Sequence, residues 1–380
     1  MTNDYKIHNK SSKPNNIVER DNKLLDQCAM LESQLPYFLI DYFIYLKSAI
    51  AITSRLAYLQ DLEFFCKYLV TETRLVSAES TEEISEIEFS KIRARDVNRF
   101  LGDYCTRYFI EKDGTTYLME NHNRALSRKK SSLSVLFKFL FREEIMKENI
   151  VEGLNPIKLP KPQPDAIKRL EIEEVALMLK AVETGQGLTD KEKQYWEKTK
   201  YRDKAILVLF TTFGLRLKEL QQLNISSFSF SRSEFKIYRK RGKEVNMPLN
   251  KSVVKVVTDY LDYERPKENE VDEIYKDALF LSLQNKRMTE KSIRQLVKKY
   301  TSIALGTSRA TGYSPHKLRA TAASSLIQYG FSIYDVQNLL DHDNVTTTQL
   351  YSAHKKNAKR DIVKQYELID TKNPQSENGE

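Results

Sequence analysis

The chain has 380 residues, long for one domain, and its apolar fraction of 41% is enough to build real cores in two. With 61 Lys and Arg against 52 Asp and Glu the formal net charge is +9, which favours a polyanionic partner and says nothing about fold. No apolar run approaches the roughly 20 residues of a membrane span, and the N-terminus has no signal-peptide core. Three widely spaced cysteines (Cys28, Cys66, Cys105) read as buried free thiols of a reducing compartment, with no disulfide framework or zinc knuckle. A cytoplasmic protein without a membrane partner is expected.

Residues 1–30 are polar and mixed in charge, and read as a flexible tail. Apolar spacing then turns helical. An aromatic-rich helix opens at Pro36 and runs to about Leu46, and a second follows Thr53-Ser54 with Leu56, Leu59, Leu62, Phe65, Cys66 and Leu69 on one face. Residues 72–90 read as an acidic loop. A third helix starts near Arg95-Asp96, a turn falls at Lys112-Asp113-Gly114, and a fourth helix spans about Asn123 to Glu144. The first turns of that fourth helix are expected to expose Arg124, Arg128, Lys129 and Lys130, either to a phosphate backbone or to solvent. Residues 155–168 carry Pro156, Pro160, Pro162 and Pro164, a density that forbids a helix and marks a semi-extended linker between domains 31–154 and 169–368.

The second domain opens with a helix over about Ile172–Val182. A polar excursion follows over 183–200, with the only tryptophan, Trp196. An apolar helix runs from Ala205 to Phe213 and ends at Gly214; a new one carries Arg216, Glu219 and Leu220. The stretch SSFSFSRSEFKIYRKRGKEVNMPL alternates as strands about a turn at Arg241-Gly242, a small antiparallel sheet. Helices return at Lys251–Tyr263 and Glu290–Ala304. Ser314-Pro315 starts another, with a side-chain oxygen for the orphan N–H groups and a ring fixed at helical φ, and it places His316 and Arg319 on one face. Gly330 closes it, and Ser332 caps a helix carrying Val336, Leu339 and Leu340 inward, with His342 at its end. An amphipathic helix from His354 to Glu367 precedes a disordered tail, 369–380.

Arg216, Lys240, His316, Arg319, His342 and Tyr351 all sit where segments begin, end or turn, which is where active-site groups tend to be presented. Singly, each has a plainer reading. Arg216 could pair with Glu219 one turn on, and Lys240 belongs to a basic cluster with Arg239, Arg241 and Lys243 that could simply meet phosphates or solvent. A metal site from His316, His342 and His354 lacks cysteines and regular ligand spacing, so no metal is expected.

Taken in order, these residues resemble the tyrosine recombinase (phage-integrase) superfamily, particularly its Xer-type members. TTFGLRLKEL resembles the family's first arginine box, HKLR its His-x-x-Arg box, and LLDHDNVTTTQLY its third box with histidine and nucleophilic tyrosine. YRKRGKEVNMPL resembles the hairpin that holds the catalytic lysine, its pattern putting that role on Lys240 with Lys243 as the fallback. The resemblance covers roughly residues 31–368. It implies a mainly α protein of two domains: an N-terminal helical core-DNA-binding bundle, and a C-terminal mixed α+β catalytic domain with a small antiparallel sheet. Two departures stand out. Asp341 replaces the glycine usual before the third-box histidine, and the 183–200 excursion is longer than in compact members.

The implied reaction is attack of a tyrosine oxygen on a DNA phosphodiester, giving a 3′-phosphotyrosine linkage that is later rejoined. Two permanently charged planar guanidiniums, Arg216 and Arg319, suit the charge that develops on the crowded phosphorus. Tyr351, as a phenol of pKa near 10, is only about one part in a thousand ionised at neutral pH, and full ionisation would cost about 4 kcal/mol. His316 suits proton acceptance, Lys240 suits protonation of the leaving 5′-oxygen, His342 would hydrogen-bond the phosphate, and Glu219 would orient Arg216. No cofactor is expected, in keeping with the lack of a Walker motif or clustered carboxylates. By the same resemblance the partners are double-stranded DNA with a short, roughly palindromic site and three further copies, four protomers on two sites, with an FtsK-like translocase as a candidate. The tasks implied are Xer-like chromosome dimer resolution or integration and excision of a mobile element. A type IB-like topoisomerase and a non-catalytic DNA-binding regulator are the remaining alternatives.

Overall fold

The computed structural model describes residues 13–159, 168–239 and 243–341. The chain divides between Lys161 and Pro162 into two units, each built around its own apolar core.

In the first unit, α1 (Asn15–Glu32), α2 (Ile40–Ala49), α3 (Ile52–Glu72), the short α4 (Glu86–Phe89) and α5 (Ala94–Arg99), and α6 (Asn123–Arg142) surround Phe65, Phe89, Phe100 and Phe137. All four rings are fully buried, and burial of a side chain this size contributes about 1.5–3 kcal/mol. The expected tail is corrected here: residues 15–32 form a helix that packs on α3. Its apolar residues are sparse, but Ile17 and Cys28 are buried and Glu32 pairs with Arg55 of α3, which fixes the helix end. Residues 1–12 lie outside the described residues.

A second correction concerns residues 107–120. The Asp113-Gly114 turn is there, with φ of 53° and 70°, but it joins two strands, β1 (Arg107–Lys112) and β2 (Thr115–Glu120). Positive φ at both central residues is what a tight hairpin needs to match strand twist, and Asp-Gly supplies it at small cost. Tyr108 anchors the ribbon on Phe64, ring centroids 4.8 Å apart, while Phe109, Tyr117 and Leu118 remain exposed.

The basic start of α6 is also different from expectation. Lys129 is buried: its Nζ lies 3.2 Å from Asp61 Oδ1 and 4.4 Å from the Phe64 ring centroid. Asp61, itself 1% exposed, also accepts from Arg128 and from Ser132 Oγ at 3.1 Å. Lys130 Nζ donates to the Asn155 carbonyl at 2.8 Å. The exposed basic face reduces to Arg124 and the partly exposed Arg128, because the buried Asp61 carboxylate must be neutralised by its neighbours.

In the second unit, α7 (Ile172–Thr184), α8 (Asp190–Trp196), α9 (Lys200–Phe213), α10 (Leu217–Gln221), α11 (Lys251–Tyr263), α12 (Glu290–Ala304), α13 (Pro315–Gln328) and α14 (Ile333–Leu340) enclose a core centred on α9. The three-stranded antiparallel sheet runs β3 (Phe228–Ser229), β4 (Glu234–Tyr238), β5 (Glu244–Pro248). On β4, Phe235 and Ile237 point inward and alternate with half-exposed Glu234, Lys236 and Tyr238, the period-two pattern of a strand with one buried face. The turn expected at Arg241-Gly242 lies outside the described residues.

The polar excursion is ordered by local chemistry. Thr189 and Glu192 form a reciprocal capping box for α8, and Trp196 Nε1 donates to the Val182 carbonyl at 2.7 Å. Glu192 then takes both Nε and Nη2 of Arg309, at 3.0 and 2.9 Å. At the heart of the unit, Asp203 of α9 accepts from Arg202 at 2.8 Å and from Tyr300 Oη of α12 at 3.2 Å. Burial first, and then this carboxylate, hold the Tyr300 phenol far above its usual range.

Removing Asp61 strands Lys129 in the first core, so Asp61→Ala should cost about 3 kcal/mol in urea unfolding, and Lys129→Met in the same chain should recover part of that loss. The Arg309 fork, ahead of the opposing effect of burial, depresses the Glu192 carboxyl from 4.5 to about 2. Its stabilisation is therefore complete above pH 4.5 and is lost as pH falls toward 2. Arg309 is 38% exposed, so Arg309→Ala should cost about 1 kcal/mol or less at neutral pH and flatten that acid slope in pH-dependent melting.

Candidate active site

Helix α9 ends at Gly214, whose φ of 57° is left-handed and whose missing Cβ leaves room for Leu340, otherwise 2.5 Å away. The freed Gly214 carbonyl accepts from Arg319 Nη1 at 2.6 Å. Two residues on, Arg216 is the N-cap of α10. Its backbone N–H donates to Glu219 Oε2 at 2.7 Å and its Nη1 to Oε1 at 2.8 Å, so one buried carboxylate fixes both the helix start and the guanidinium.

The other end of the site is the C-terminus of α14. A helix leaves its last carbonyls without partners, and these sit at its negative dipole end. Here three arginines fill that role in succession. Arg239 Nη2 donates to the Leu339 carbonyl at 2.6 Å, Arg319 Nη2 donates to Leu340, and Arg216 Nη2 donates to Asp341 at 3.0 Å. Residues far apart in sequence thus meet on three consecutive peptide units. Arg319 is 5% exposed and Arg239 is 7% exposed. Arg239 was expected at the surface of a basic hairpin; it is buried because the α14 carbonyl and Met247 receive it.

Asp341, which stands where the resemblance implies a glycine, adopts φ 53° and ψ 55°. The left-handed turn explains why glycine suits the site, and Asp is among the few residues that tolerate it. Its carboxylate faces Lys243 Nζ at 3.1 Å, Arg239 Nη1 at 3.5 Å and Arg216 Nη1 at 4.0 Å. Burial opposes its ionisation, but the Lys243 hydrogen bond and the charges of Arg239, Lys243 and Arg216 outweigh that and hold its carboxyl below the usual 3.8. Among the described residues, four cations (Arg216, Arg239, Lys243, Arg319) thus face two carboxylates (Glu219, Asp341), an excess that favours an anionic ligand.

His316 sits on the first turn of α13, exposed but partly desolvated, while Arg319 is buried in the core. Desolvation first, then Arg319 and Lys317, push the imidazole below its ordinary 6.5, so it is neutral and able to accept a proton at pH 7. The cap expected from the Ser314 side chain is not made, although its backbone is extended as an N-cap requires. Lys240, Arg241, His342 and Tyr351 lie outside the described residues, as does His354. Sequence reasoning named both arginines and His316, and noted the substitution at 341, but did not place the Asp341 carboxylate among the cations.

The folded chain binds fewer protons at His316 than the unfolded chain does, so this group contributes stability above pH 6.5 that declines as pH falls through that range. A proton NMR titration should place the His316 midpoint below 6.5, and Lys317→Ala should move it upward.

The sequence matches the model of the phage integrase family over residues 168–358. It is 31% identical over 318 residues to the tyrosine recombinase XerC of Caldanaerobacter subterraneus subsp. tengcongensis, covering 82% of this chain and 81% of that one. To the tyrosine recombinase XerD of Staphylococcus epidermidis it is 25% identical over 324 residues, 85% and 95% of the two chains. Its fold resembles that of the XerH recombinase bound to a palindromic difH substrate, with TM-score 0.58 and 20% identity, over 94% of this chain and 91% of that one. It also resembles a lambda integrase tetramer bound to a Holliday junction, with TM-score 0.52 and 14% identity, over 90% and 81%.

Proposed function

Since the chain belongs to the phage integrase family and is a site-specific DNA recombinase, we propose that the cationic pocket around the end of α14 binds the scissile phosphate and that Tyr351 attacks it. The observation that carries this reading is the convergence of Arg216 and Arg319 on the adjacent carbonyls of residues 341 and 340. Two permanently charged forks at one point can bind the non-bridging oxygens as the phosphorus becomes five-coordinate, and they are held there before the reaction by Glu219 and Gly214. Neutral His316 accepts the phenolic proton. Lys240 protonates the leaving 5′-oxygen, with Lys243 as the alternative donor, and His342 binds the phosphate.

The bond made is between Tyr351 Oη and phosphorus, and the bond broken is to the 5′-oxygen. The phosphotyrosine keeps the diester's free energy, so a 5′-hydroxyl from a second strand can reverse the step and exchange partners. Four strands require four tyrosines, which favours a homo-tetramer on two short duplex sites. Resolution of chromosome dimers is the biological task favoured by the likeness to XerC and XerD, and an FtsK-like translocase is the partner class such a task would use.

On a nicked suicide duplex carrying its site, the wild-type chain should be captured covalently and Tyr351→Phe should not, while both retain binding. Arg319→Lys should lower the rate of capture by about 100-fold or more, since a point charge replaces a bidentate fork. Joint molecules from two duplexes establish strand exchange; relaxation of supercoils without them would identify a topoisomerase instead.

A further inference from the structure

We infer that Asp341 is an internal anion of the phosphate pocket, a positioning residue whose carboxylate occupies the Arg216–Arg239–Lys243 cluster and has to be displaced when a DNA phosphate enters. The inference rests on the proposed reading of that pocket and adds to it a competitor belonging to the chain itself.

Three observations converge on it. One carboxylate lies between three cations drawn from separate elements: Lys243 at 3.1 Å and Arg239 at 3.5 Å from Oδ1, and Arg216 at 4.0 Å from Oδ2. A carboxylate offers these cations the same kind of anionic oxygen that a phosphodiester does. The two ligands therefore compete for one set of donors.

The backbone at 341 is left-handed and follows the last residue of α14, so the side chain is presented by a terminus, not a packed helix face. A rotation of the side chain would take the carboxylate out of the cluster and leave α14 itself intact, because the arginine bonds to carbonyls 339, 340 and 341 involve only its backbone.

The pocket also has donor capacity left over. Arg239 Nε is buried and has no acceptor among the described residues, although Nη2 is hydrogen-bonded and Nη1 pairs with Asp341. A buried unmet donor of this kind is costly, and a ligand with more oxygens than a carboxylate would relieve it. With Asp341 in place the buried Arg239 and the more exposed Arg216 and Lys243 share one carboxylate, which offsets their mutual repulsion. Once the phosphate takes over, Asp341 becomes a carboxylate beside a diester and favours release after rejoining.

Inorganic phosphate is a suitable probe, titrated against chloride at constant ionic strength, with two readings per variant. One is the rise in melting temperature with phosphate; the other is the phosphate concentration that halves covalent capture on the suicide duplex. Asp341→Asn and Asp341→Gly both keep a residue that accepts the left-handed turn. Each should bind phosphate about tenfold more tightly than wild type, lowering both half-effect concentrations, a change of about 1.4 kcal/mol. Equal phosphate responses in all three chains overturn the inference, because a merely structural carboxylate would not tune anion affinity. Loss of folding in both variants overturns it too, since a displaceable group is not one on which the fold depends. If the wild-type chain is never captured on DNA, it is the proposed function that fails, and the melting series still reports on Asp341.

Discussion

Three guanidiniums on the carbonyls of residues 339, 340 and 341, where α14 ends, are the interaction that shapes the second unit's working face. Hydrogen bonds from a charged donor contribute about 1.5–3 kcal/mol each, and a helix C-terminus adds a favourable field for cations. What matters more is geometry. Arg319 comes from α13, Arg216 from the start of α10 and Arg239 from the end of β4, and each is fixed by a different local device. Gly214 opens the close approach for one, Glu219 clamps another, and burial against Met247 confines the third. Preorganisation of this kind is what electrostatic catalysis requires, since charges already in place need no rearrangement in the transition state.

The same economy of charge recurs away from the site. Asp61 in the first unit and Asp203 in the second are both buried carboxylates ringed by donors from neighbouring helices. Such clusters add less net stability than apolar packing, but each is intolerant of losing a single member. They tie α3 to α6 and α9 to α12 through buried side-chain bonds.

Much of this was legible from residues, and the failures have physical causes. Lys251–Tyr263 and Glu290–Ala304 were readable because Asn250 and Thr289 are side-chain caps directly before strongly periodic segments. The helix at 15–32 was missed because it holds on with two buried side chains and an ion pair to Arg55, none of which shows as an apolar stripe. The ribbon at 107–120 was missed because apolar residues stand on both of its faces, so alternation vanishes and the Asp-Gly turn alone remains. Lys129 was misread because Asp61, the group that draws it inward, lies in another helix. In the site, residue types were readable from their spacing, but the arginines meet on backbone carbonyls, and a carbonyl has no letter in a sequence.

The left-handed turn at residue 341 also limits how this pocket can drift. Most side chains are strained at φ 53°, and the comfortable choices are glycine, asparagine and aspartate. Aspartate codons are a single nucleotide from glycine codons and from asparagine codons. The pocket's charge is therefore open to adjustment by one-step mutation at a position whose backbone permits little else, and a lineage could gain or lose the internal carboxylate without passing through an unfolded intermediate.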